Sequence, residues 1–265
     1  MHRVLLVSLL LIVLFSAGPR LQADEGRPHF AIINWFPFGT VQNGVKKGLF
    51  VDVARAVADV SDMNAEIMVV PLPRVFRGMQ EGIFDFTFTY KSKDLQDKLR
   101  YIADIGCLRP AIISMKGSPV TSLAQLNGRR VAHPPVGDFV RRVLPTLNVE
   151  GVVAQRTDVM FKMALYGRVD AFVINEAIWH AYKRDAYSEF KVPAERWKEF
   201  YEPLYMKPMR LSLSISRGSK YQALASRMTD LLETPGFRKE LQVIFDRYGL
   251  NNATACLPGA ALYGS

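Results

Sequence analysis

Four stretches of this chain end an apolar run on groups able to bind a ligand or carry chemistry. Phe84-Asp85-Phe86-Thr87-Phe88-Thr89-Tyr90 alternates aromatic residues with Asp and Thr and releases polar groups at its end. Ala171 to Ile174 runs into Asn175-Glu176, and His29 to Ile33 runs into Asn34-Trp35-Phe36-Pro37. Arg129 to Ala132 runs into His133-Pro134-Pro135-Val136-Gly137-Asp138. Pro37 breaks its strand where the aromatics gather, so Trp35 or Phe36 can serve as an exposed platform for a ligand, the other reading being core packing. His133, Asp138 and Glu176 have the residue types of a general acid and base if they converge, which would make an enzyme. The four histidines, His2, His29, His133 and His180, are far apart, and no CxxC or HExxH pattern occurs. A dedicated metal site or a cofactor is therefore not expected.

The elements that must position these groups follow from periodicity. His29 to Ile33 and Glu66 to Val70 are strands. Between them Leu49 to Val60 carries Phe50, Val53, Ala54, Val57 and Val60 at helical spacing. Strand, helix, strand makes a βαβ start and an α/β fold with a mainly parallel sheet, in which ligands sit beyond the carboxyl ends of the strands. Val75, Phe76 and Met79 predict a helix from Pro71 to Gly82. Helices are also expected over Phe139 to Leu147, Asp158 to Tyr166, Trp179 to Tyr187, Ser219 to Glu233 and Phe237 to Tyr248, a strand over Leu211 to Ile215, and a loop around Asn43-Gly44.

One arrangement occurs twice. Gly82, Asp85 and Tyr90 are spaced like Gly167, Asp170 and Asn175, with eight residues from the glycine to the polar strand end in each. The glycine suits the left-handed position that ends a helix, and the Asp suits the turn into the strand. The repeat predicts two similar lobes, with Tyr90 and Asn175 in equivalent positions facing a shared cleft.

At 265 residues and 49% hydrophobic, the chain is long enough for one large domain or two smaller ones. His2 and Arg3 precede the apolar run Val4 to Phe15, and Leu21-Gln22-Ala23 precedes Asp24-Glu25. This is the pattern of a secretory signal peptide, cleaved after Ala23 or alternatively after Ala17; the run is short for a membrane span. The formal charge of +9 falls to +7 without Arg3 and Arg20, leaving 32 Lys and Arg against 25 Asp and Glu. The bases are scattered in pairs such as Lys46-Lys47 and Arg141-Arg142, which is a solvated basic surface rather than a nucleic-acid site. Cys107 and Cys256 permit one disulfide in an oxidising compartment; two unpaired thiols are the other reading.

Several loose motifs in order resemble a family. Gly44, Gly48-Leu49-Phe50-Val51-Asp52-Val53, Arg74, Gly82 with Asp85, Asn127-Gly128-Arg129-Arg130-Val131-Ala132 and Gly167-Arg168-Val169-Asp170-Ala171 are similar to bacterial periplasmic solute-binding proteins of the amino-acid-binding, type II class. The resemblance implies two α/β lobes joined by two crossover hinge strands, residues 24–112 with 210–265 forming one lobe and 113–209 the other. It also implies a monomer without catalytic activity that captures a small polar solute for an inner-membrane permease of the ABC type or a sensor. Ligand contacts would come from Trp35 or Phe36, from Thr89, Tyr90 and Ser92, and from a loop at Val136-Gly137-Asp138. Members that bind amino acids use an Arg after the first-lobe strand and an Asp at the second-lobe strand end. This chain has Gln96-Asp97-Lys98 and Asn175-Glu176 there. Arg74 then stands as a replacement cation or a surface arginine, and Glu176 with Asp138 favours a cationic or polyhydroxylated ligand. A dehydratase-like enzyme on the same fold is the competing reading.

Overall fold

The computed structural model describes residues 26–91, 95–135, 137–184 and 192–257. The expected signal segment, Ser92 and Val136 lie outside these residues, as does the side chain of Asp138. The strands are β1 (His29–Ile33), β2 (Thr40–Gln42), β3 (Val45–Lys47), β4 (Glu66–Val70), β5 (Phe86–Tyr90), β6 (Leu99–Leu108), β7 (Pro110–Ser114), β8 (Arg130–His133), β9 (Glu150–Val153), β10 (Ala171–Asn175), β11 (Leu204–Tyr205) and β12 (Met209–Ser216). The α-helices are α1 (Leu49–Val60), α2 (Leu72–Gln80), α3 (Asp138–Arg142), α4 (Thr157–Leu165), α5 (Glu176–Lys183), α6 (Gln222–Leu232) and α7 (Pro235–Arg247).

Among the described residues the strands form two five-stranded sheets, β4-β1-β5-β12-β6 and β11-β7-β10-β8-β9, plus the β2-β3 hairpin. The two orders match when the second is reversed. In each, three parallel strands are followed by an antiparallel one, β12 against β5 and β7 against β10. The molecule is thus a two-lobed α/β fold with crossover strands. The chain leaves the first sheet at Leu108 and enters the second at Pro110, with Arg109 alone between them, and it returns between Tyr205 and Met209.

The spaced repeat has a physical origin. Gly82 and Gly167 both adopt the left-handed conformation, with φ of 71° and 64°, where a side chain would be strained. Each Asp then reaches across to the neighbouring parallel strand. Asp85 accepts the amide of His29 at 2.8 Å, and Asp170 accepts the amide of Arg130 at 2.8 Å. The carboxylate satisfies the first amide of the adjacent strand and fixes where pairing begins, so β5 and β10 end level with their neighbours.

α1 packs Leu49, Phe50, Val53 and Val57 into the first lobe, all at most 5% exposed; burying such side chains contributes about 1.5–3 kcal/mol apiece. In the second lobe Phe161, Phe172 and Trp179 pack with Trp197 and Phe200 as an aromatic cluster. Cys107 and Cys256 form a disulfide with their Cα atoms 6.3 Å apart, which settles the open reading. It pins the C-terminal tail across β6, where the Cys107 amide also donates to the Ala253 carbonyl at 2.7 Å.

Three expected elements differ. The helix expected over Phe139 to Leu147 ends at Arg142 and gives way to a 3₁₀ turn, Leu144–Thr146, because Pro145 has no amide to continue the ladder. The loop at Asn43-Gly44 is a hairpin turn with both residues at positive φ, 50° and 76°, the geometry Asn-Gly favours. α5 begins at Glu176 rather than Trp179, because Asn175 caps it by accepting the Ile178 amide at 3.0 Å.

Candidate functional site: a cleft between two lobes

A cleft of about 400 Å³ lies where the carboxyl ends of the two sheets face each other. Trp35, just beyond β1, and Thr89 and Tyr90, at the end of β5, line it from the first lobe. Gly137 beyond β8, Thr157 at the start of α4 and Asn175 at the end of β10 line it from the second. The parallel strands run toward one another, so their polar ends converge.

Side chains of the two lobes meet across the cleft. The Trp35 indole Nε1 donates to Thr157 Oγ1 at 2.9 Å. Tyr90 and Asn175, the two residues paired by the sequence repeat, are joined through the phenol and the side-chain amide. Burial, reinforced by the negative charge of Glu176, holds the Tyr90 phenol far above its ordinary value, while the bond from Asn175 pulls the other way. Tyr90 therefore stays a neutral hydroxyl. Thr89 is occupied within its own lobe, sharing a 2.9 Å hydrogen bond with Ser214.

The rest of the wall is mainly apolar. Leu72, Phe76 and Phe88 come from one side and Phe139, Met160 and Val173 from the other. Arg141 also borders the cleft. This differs from the polar wall the sequence suggested, because Thr89 is bonded to Ser214 within its own sheet while Trp35 and Tyr90 are bonded to Thr157 and Asn175 across the cleft.

Several expected site residues stand elsewhere. Phe36 packs edge-on against the Tyr182 ring, with centroids 5.5 Å apart, and so serves as an interlobe contact rather than a platform. Arg74 is exposed on α2 and borders a separate groove with Pro71, Arg77 and Glu81. The helix turns it outward because Val75 and Met79, one and five positions on, take the buried face. Asp138 opens α3 by its backbone. His133 is 8% exposed and its Nδ1 is hydrogen-bonded to the Pro134 carbonyl at 2.7 Å. The ring lies against Gly151 on β9, away from the cleft lining. Among the described residues no group of three or more His, Cys, Asp or Glu could hold a metal ion.

Glu176, 7% exposed, is committed to the hinge. Its Oε1 accepts the Arg109 amide at 2.8 Å, and its Oε2 accepts the Arg109 Nε at 2.7 Å. The same oxygen pairs with the terminal guanidinium nitrogen at 2.7 Å. The Glu176 amide returns a bond to the Arg109 carbonyl at 2.9 Å. The Arg109 guanidinium also covers the Tyr205 ring, 4.1 Å from its centroid. One arginine therefore links the outgoing crossing, the returning crossing and the start of α5.

Arg109, Thr157 and Arg141 escaped the sequence reading. Arg141 reads as one of several surface base pairs, and Arg109 sits inside an apolar alternation. Thr157 opens the helix after β9, and no local pattern in the sequence marked it as facing Trp35.

The architecture defines the chain's fold as that of the type II periplasmic binding proteins. No protein-family model matches the sequence, and no curated protein matches it. Solved structures share the fold at low identity. The arginine-, lysine-, histidine-binding protein ArtJ from Geobacillus stearothermophilus superposes with a TM-score of 0.68 at 15% identity, over 84% of this chain and 100% of that one. The substrate binding protein of an amino acid ABC transporter gives 0.66 at 17% identity, over 84% and 99%. A histidine kinase sensor domain with similarity to periplasmic binding proteins gives 0.67 at 18% identity, over 83% and 95%.

Proposed function

We propose that this chain is an exported, non-catalytic solute-binding protein that captures a small molecule between its lobes and presents it to a separate membrane permease of the ABC type. One observation carries the reading: the carboxyl ends of two matching sheets, bearing Trp35 and Tyr90 on one side and Thr157 and Asn175 on the other, enclose a shared cleft. A ligand seated there touches both lobes at once, so binding and closure are one event. The N-terminal run Val4 to Phe15, cleaved after Ala23, supports export to the periplasm. Binding is favoured over catalysis because Glu176 is neutralised by Arg109 and the His133 Nδ1 is bonded to its neighbour's carbonyl.

Service to a sensor rather than a permease is the second reading, favoured by the likeness to a histidine kinase sensor domain. Thermal-shift screening of the mature protein against amino acids, polyamines, sugars and organic acids tests binding itself. A hit should raise the melting temperature and compact the protein in small-angle scattering. A protein that bound nothing, or that turned over its ligand, would refute the proposal. Stimulation of a reconstituted permease's ATPase by the liganded form separates transport from sensing.

A further inference from the structure

We infer that the groove along the outer flank of α2 docks an acidic segment of a partner protein, an extended stretch that presents two carboxylates and an apolar side chain on one face. The site lies apart from the cleft. Leu72, Phe76 and Gln80 on one flank of the helix border the cleft, whereas Arg74, Arg77 and Glu81 on the other border a groove of about 460 Å³. Everything that lines the groove lies between Pro71 and Phe84, within the first lobe. Its occupancy therefore does not require the lobes to close, and the inference does not rest on the solute reading.

The first support is charge that the fold does not use. Arg74 and Arg77 are both exposed, and neither side chain pairs with a described residue. Arg74 stands in the first turn of α2, the end at which the helix dipole disfavours a cation, and that turn holds no acid to offset it. Arg77, in the last turn, suits the dipole there, yet it stays unpaired even with Glu81 one turn further on. Two guanidinium groups against one carboxylate leave the groove with net positive charge, which complements an acidic partner.

The second support is shape. Pro71 and Pro73 border one end of the groove, and Ile83, 56% exposed, borders the other. Gly78 and the Phe84 ring lie between them; a Cβ at Gly78 would meet that ring at 2.4 Å. The helix thus sits directly on the ring, and the wall beside the arginines carries no side chain that would fill the groove.

The third support is spacing. Arg74 and Arg77 are one turn apart on the helix. Alternate residues of an extended segment point to one side about 7 Å apart, within the span of two long arginine side chains, each able to fork a carboxylate. The next residue on that face then reaches Ile83 or the prolines, where an apolar side chain gains from burial.

Fluorescence polarisation of the mature protein against labelled ten-residue peptides tests this. Each peptide carries Asp or Glu at two alternate positions and Leu, Ile or Phe at the next alternate one, in either order, and matched peptides carry Asn or Gln for the acids. At least one acidic peptide should bind, at least tenfold tighter than its amide match. The Arg74→Gln, Arg77→Gln double variant should weaken that peptide at least tenfold and Ile83→Ser at least threefold, with circular dichroism verifying the fold. Arg227→Gln, at an exposed arginine on α6, should leave it unchanged. Equal binding of the amide match, no binding by any peptide of the set, or undiminished binding by the double variant would overturn the inference. Tighter binding to phosphatidylglycerol vesicles than to every peptide, lost in the double variant, would assign the patch to a membrane surface and overturn it too. A protein that took an acidic peptide but no solute would refute the solute reading alone.

Discussion

Arg109 and Glu176 hold each other through both backbone and side chain. The carboxylate takes the arginine's amide at 2.8 Å and its Nε at 2.7 Å, and the glutamate's amide returns to the arginine's carbonyl at 2.9 Å. Because Arg109 is the single residue between the two sheets, this pair sets the angle at which the second lobe leaves the first. Glu176→Ala should lower unfolding stability by about 2–4 kcal/mol, since it leaves a partly buried guanidinium unpaired. A double-mutant cycle with Arg109→Ala, followed by chemical denaturation, should return a coupling of about 1–3 kcal/mol. Additive losses would show that the pair contributes nothing beyond its parts.

The Trp35–Thr157 bond crosses the cleft. Thr157→Val removes the acceptor at nearly constant shape, and Trp35→Phe removes the donor but keeps an aromatic face. Each should cost about 1 kcal/mol of closure, or about fivefold in the closed-to-open ratio. Spin labels or fluorophores placed on the two lobes would read this as a longer mean separation. Ligand affinity should drop by about the same factor.

The Cys107–Cys256 disulfide spans 149 residues of chain, so its effect is felt mainly in the unfolded ensemble. The Cys107→Ser, Cys256→Ser double variant should be less stable by about 2–4 kcal/mol. For a chain of this size that corresponds to a melting temperature lower by roughly 4–16 °C. Reducing agent should lower the wild-type protein to the same value and leave the double variant unmoved.

His180 lies one turn after Glu176 on α5. Burial, aided by the charges of Arg184, Arg109 and Lys183, depresses its affinity for protons, and Glu176 opposes them. The unfolded chain, with its histidine near about 6.5, binds that proton more readily than the folded one. The stability this contributes is therefore present above about pH 6.5 and is lost as pH falls through the lower folded value. Melting temperature should decline from pH 7 toward pH 5, and His180→Gln should decline less steeply, by no more than about 2–4 °C. Equal slopes would remove His180 from the account.

What was legible in the sequence was what local rules govern. The Gly82–Asp85–Tyr90 and Gly167–Asp170–Asn175 spacing predicted two similar lobes and brought Tyr90 opposite Asn175. A left-handed glycine and an aspartate bonded to the next strand are short-range devices, and five-residue strands then deliver their last residues to one edge. The α1 stripe was legible for the same reason, its period being set by helix geometry alone.

Tertiary structure decided who was left to meet a ligand. Glu176 looked like a binding carboxylate until Arg109, 67 residues away in the chain, proved to be its partner. Phe36 looked like a platform until Tyr182 covered it. Thr89 looked available until Ser214 came alongside. Each of these depends on a partner brought in by the crossover between the sheets, and no window of sequence contains both halves of such a pair. The apolar character of the cleft is likewise a property of which faces the two lobes turn toward each other, so it was settled only when the chain folded around it.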